Sequence, residues 1–80
     1  RVIADIPHPE CIISIFPMYM KYLVKFEQGA IEQTYKLAEL DLINGIDSVF
    51  EILDEEFISK VVAHFADMRK DFIEAYNKHN

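Results

Sequence analysis

Cysteine and cations are both scarce in this 80-residue chain, and each shortage removes a class of function. One cysteine, Cys11, excludes an internal disulfide framework, and with it the small secreted domains that cystines staple together. Eight Lys and Arg against fourteen Asp and Glu leave a net charge of −6. Phosphate contacts need clustered cations, so nucleic-acid binding is disfavoured, and so is attachment to an anionic membrane surface. No apolar run approaches the ~20 residues of a membrane span. No signal peptide is visible, and a cytoplasmic domain is the expectation. Because the chain opens on Arg1 rather than Met, the native N-terminus is expected to be missing or processed. There is no internal repeat and no low-complexity segment.

Catalytic and cofactor signatures are lacking as well. His8-Pro9-Glu10-Cys11 gathers an imidazole, a carboxylate and a thiol, but a structural zinc site needs four ligands, usually in paired clusters. His64 and His79 lie far along the chain and no second cysteine exists. Cys11 reads as a small core residue, and His64 as a half-exposed histidine. A nucleophilic Cys11 would need His8 beside it, and an i, i+3 pair in an extended, Pro-flanked segment need not converge. Asp47, Glu51, Asp54, Glu55 and Glu56 form an acidic patch without the spacing or the loop glycine of an EF-hand. They read as a solvated patch that favours the start of a helix. No cofactor and no metal are expected.

What the chain does have is hydrophobic order of two kinds. With 51% apolar residues it supports one domain, near the lower size limit for a self-sufficient core. Up to about Gly45 apolar and polar residues alternate, as in Tyr22, Val24 and Phe26 against Lys21, Lys25 and Glu27. Beyond it they recur every three or four, as in Phe57, Val61, Phe65, Met68, Phe72 and Tyr76. Period two predicts strands, and a period near 3.6 predicts a helix.

The expected fold is therefore α+β: a three-stranded antiparallel sheet, then a short helical turn and a long C-terminal helix. Residues 1–10, punctuated by Pro7 and Pro9, read as an extended N-terminal arm with room for a short strand at Val2–Ala4. Residues 11–80 form a single β-β-β-α domain. Its strands are placed roughly at Cys11–Phe16, Lys21–Glu27 and Ala30–Leu37. A two-residue turn at Gln28-Gly29 would set Phe26 opposite Ile31, Val24 opposite Gln33, Tyr22 opposite Tyr35, and Lys25 against Glu32. Any odd-sum pairing of the first hairpin puts Cys11, Ile13 and Ile15 on the face that holds Tyr22, Val24 and Phe26. After a connection over residues 38–47, Ser48 and Glu51 fit a capping box. Asp54 is the expected cap of the long helix, with Glu55 and Glu56 in its first turn.

Comparing lengths leaves a surplus. A helix from Asp54 to Asn77 runs ~36 Å, whereas a seven-residue strand covers only ~23 Å. About two turns, carrying Phe72, Ile73 and Tyr76, should overhang the sheet. The apolar arc spans roughly 160°, more than the ~100° one sheet needs, and Arg69 falls inside it. Arg69 reads either as a snorkelling side chain or as an interface cation. The second sheet face would show Ile12, Ser14, Phe16, Leu23 and Thr34 among Lys21, Lys25, Lys36 and Glu32, rather apolar for a solvated surface.

The leading functional expectation is a non-enzymatic interaction module, an accessory subunit or homodimer. Arg69, Phe72, Ile73, Tyr76, Ile12 and Leu23 would meet a protein partner or a second copy. One alternative is a small-ligand binder or minor enzyme, with a pocket between sheet and helix lined by Tyr22, Tyr35 and Phe65. The other is nucleic-acid binding through Lys21, Lys25 and Lys36, which lacks an Arg in the sheet to read guanine.

Overall fold

A computed structural model describes residues 1–80. It is an α+β domain: an antiparallel sheet carries two helices on one face, the second of them long and C-terminal. The sheet has four strands, β1 (Ala4–Ile6), β2 (Ile12–Met18), β3 (Lys21–Gln28) and β4 (Ile31–Ala38), in the order β1-β2-β3-β4. A 3₁₀ turn at Glu39–Asp41 leads to α1 (Ile46–Ile52) and then to α2 (Glu55–Lys78).

Four strands rather than three is the main correction to the sequence reading. Part of the segment that reads as an arm pairs with β2, setting Ala4 opposite Ile15 and Ile6 opposite Ile13. The strand lies two residues beyond the Val2–Ala4 position. Period two explains the placement, because Ala4 and Ile6 turn onto the core while Asp5 faces out. Three alternating residues are too short a run to assert a strand from sequence, and Pro7 ends it.

The second correction concerns register. Residues Gly29 and Ala30, not Gln28 and Gly29, form the β3–β4 turn, because Gln28 pairs with Ile31. Gly29 has φ +60°, and a glycine at the first central position is what a type II′ hairpin turn requires. Every pairing shifts by two residues: Val24 faces Tyr35, Phe26 faces Gln33, and Lys25 faces Thr34 rather than Glu32. A shift of two keeps the parity, so each side chain stays on its expected face. The β2–β3 turn is Tyr19–Met20, and Pro17 and Met18 belong to β2. Pro17 is tolerated because β1 stops short of it, leaving its missing N–H toward an open edge.

The core lies between the inner sheet face and the helices. Cys11, Ile13, Ile15, Val24 and Phe26 from the sheet side meet Val49, Leu53, Ile58, Val61 and Phe65, all buried. Phe26, Tyr35 and Phe57 pack edge to face, with ring centroids 5.3–6.1 Å apart. Asp54 caps α2 as expected, its Oδ1 accepting from the Phe57 amide at 2.9 Å. Ser48 does not cap α1. That helix starts earlier, with Gly45 as its N-cap, and the Ser48 hydroxyl accepts from the Asn44 amide at 2.8 Å instead.

Candidate functional site

The direction of α2 follows from two contacts. The Phe57 ring lies 5.3 Å from Tyr35, and one turn later the Val61 carbonyl accepts from Gln33 Nε2 at 2.8 Å. Four helical residues advance ~6 Å and two strand residues ~7 Å, so α2 runs back along β4 at matching pace. It reaches the level of Ile31 near Phe65 and then passes the Gly29-Ala30 turn. Beyond that point there is no sheet left to cover it.

Burial follows the same boundary. Ile58, Val61 and Phe65 are buried and Met68 is half-buried, whereas every residue from Arg69 to Asn80 is exposed. Phe72, Ile73 and Tyr76 are 57%, 48% and 58% exposed. At 100° per residue, Phe72 and Tyr76 stay within about 40° of the line through Val61 and Phe65. The seam that forms the core thus continues, uncovered, for the last turns of the helix. Arg69 sits between Tyr76 and Ile73 on that stripe and has no carboxylate partner; the chain's two ion pairs are Lys25–Glu27 and Lys60–Glu56. The back of the same turns is polar, with a shallow depression of ≈ 380 Å³ lined by Asp71, Glu74, Ala75, Lys78 and His79.

Of the six residues singled out from sequence, the structure groups four. Arg69, Phe72, Ile73 and Tyr76 share the overhanging stripe. Ile12 and Leu23 lie apart from it on the outer sheet face, where Ile12 is 62% exposed and Leu23 half-buried. Leu23 helps to line a depression of ≈ 300 Å³ with Phe16, Lys25, Glu32 and Thr34. Lys25 closes over this face, its Nζ 5.0 Å from the centre of the Phe16 ring and 3.6 Å from Glu27. Ser14 beneath is buried without any helix on that side. Glu27 and Glu32 stand directly opposite each other in the sheet. On this face Asp5, Glu27 and Glu32 offset the charges of Lys21, Lys25 and Lys36.

Between sheet and helix the space is filled. Phe65 is fully buried, Tyr35 is held by Phe26 and Phe57, and neither surface depression opens there. His8 and Cys11 do converge: Sγ lies 4.0 Å from His8 Nδ1, which also accepts the Glu10 amide at 3.1 Å. Burial pushes the Cys11 thiol up, and the Glu10 charge adds to it, which holds the sulfur protonated rather than as the nucleophilic thiolate. No group of three His, Cys, Asp or Glu is placed to hold a metal ion, and no helix is long and apolar enough to cross a membrane.

Sequence reasoning did not find the edge of β4. Its outer N–H and C=O groups face no neighbouring strand, and only the number and order of strands shows that. Compared with family models, curated proteins and solved structures, the chain matches none of them.

Proposed function

We propose that this chain is a non-enzymatic interaction module, an accessory subunit or homodimer working in the cytoplasm, whose contact element is the overhanging part of α2. One observation carries the reading: the stripe that forms the core as Ile58, Val61 and Phe65 continues past the sheet as Phe72, Ile73 and Tyr76 with nothing over it. Apolar residues at helical spacing on one face favour helix-in-groove or helix–helix contact. Contiguous exposed apolar surface of this kind often marks a protein contact. Ile12 and Leu23 offer a second, smaller surface on the outer sheet face.

The test compares the wild-type chain with Phe72→Asp and Tyr76→Asp, reading the mass of its complexes and the circular dichroism of each variant. Loss of association with an unchanged fold supports the proposal. Association that both variants retain rejects it.

A further inference from the structure

We infer that the occupant of the overhang is a second copy of this chain, docked antiparallel so that the two α2 helices cross near Phe72 and Ile73; this rests on the interaction reading above. Charge distribution identifies the occupant. Residues 69–80 carry three Lys and Arg against two Asp and Glu, whereas residues 1–68 carry five against twelve. The molecule is an acidic body with a weakly cationic projecting tip. Two such molecules repel body to body but attract tip to body, and only an antiparallel arrangement points each tip at the other's body.

The stripe itself is self-complementary in that arrangement. With the twofold axis between Phe72 and Ile73, each Phe72 lies level with the second copy's Ile73, and each Arg69 with the second copy's Tyr76. A guanidinium without a carboxylate partner thereby gains an aromatic face on each side of the axis. The exposed parts of Phe72, Ile73 and Tyr76 supply on the order of 300 Å² per copy, below the ~800 Å² of a standard interface. The dimer is accordingly weaker than complexes with interfaces of standard size.

Sedimentation equilibrium of the full chain from 1 μM to 1 mM, with spin labels at Lys60→Cys or Lys70→Cys in a Cys11→Ser background, tests this. The expected mass rises toward twice the 9.4 kDa of one chain. Phe72→Asp and Tyr76→Asp each weaken the dimer at least tenfold while the cooperative urea transition of the sheet and the Phe65 core is retained. The labels at position 70 lie close together, while those at position 60 lie roughly 40 Å apart. Equal separations at both positions would overturn the antiparallel arrangement. A dimer that Phe72→Asp leaves intact would overturn the overhang as its seat and point to the open edge of β4. A single mass up to 1 mM overturns the second-copy assignment. In that case, retention of a partner by the wild type but not by Phe72→Asp leaves the interaction reading standing without self-association, and retention by neither removes both.

Discussion

Gln33 on β4 donates from Nε2 to the main-chain carbonyl of Val61 at 2.8 Å, the single hydrogen bond that joins the sheet to α2. The Gln33 side chain lies half-buried on the inner sheet face. Truncating it removes both the bond and the alignment of helix to strand. Gln33→Ala is expected to cost about 1 kcal/mol, read as a lower urea midpoint with an unchanged slope.

Two phenylalanines two turns apart on α2 should respond in opposite ways. Phe65 is fully buried, so Phe65→Ala is expected to destabilise by ~3–5 kcal/mol. Phe72 is 57% exposed, and Phe72→Ala should stay within about 0.5 kcal/mol at concentrations where the chain is dilute and unpartnered. Chemical denaturation of both variants checks the contrast. A large loss at Phe72 in the isolated chain would mean that the helix end is packed after all.

Cys11 sets an alkaline limit. Its thiol is raised above the ordinary value of 9.0, first by burial and then by Glu10, so the native state holds the proton more tightly than the unfolded chain does. That contribution is intact below the unfolded value and is lost as pH climbs toward the native one. Urea midpoints from pH 7 to 10.5 should fall more steeply for the wild type than for Cys11→Ala. Alkylation of the native thiol should be slower than alkylation in urea.

Met20 adopts φ +60° in the β2–β3 turn, a left-handed conformation that costs a residue with a Cβ ~1–2 kcal/mol. Its side chain is half out of the core, 51% exposed, so little packing is at stake. Met20→Gly should stabilise by ~0.5–1 kcal/mol and raise the melting temperature by a few degrees, while Met20→Val should lower it. Differential scanning calorimetry would show the two shifts.

The sequence is most legible where period and burial coincide. The alternation from Tyr22 to Phe26 and the three-four spacing from Phe57 to Phe65 each belong to a long element with one buried face, and both faces came out as expected. Turn detail was less legible. Gln28-Gly29 and Gly29-Ala30 both suit a two-residue turn with a positive φ at Gly29, and only the pairing of Gln28 with Ile31 separates them. β1 was hidden because three residues cannot establish a period, and because its stability comes from the edge of β2 rather than from its own sequence. The overhang was legible from lengths alone, since rise per residue is fixed for helix and strand. That Ile12 and Leu23 lie apart from it, across the sheet, needed the placement of α2 by Phe57 and Val61.

The two halves of α2 differ in what keeps them helical. The first half is anchored through Ile58, Val61 and Phe65 and so supplies a ready nucleus for the rest. The ten helical residues from Arg69 to Lys78 only have to propagate it, yet a stretch of that length is marginal in water by itself. Amide exchange along the helix should therefore rise in a gradient past Arg69 rather than jump at one residue. Where the helix ends becomes a thermodynamic variable set by what lies against Phe72 and Tyr76, so ordering of the C-terminus reports occupancy.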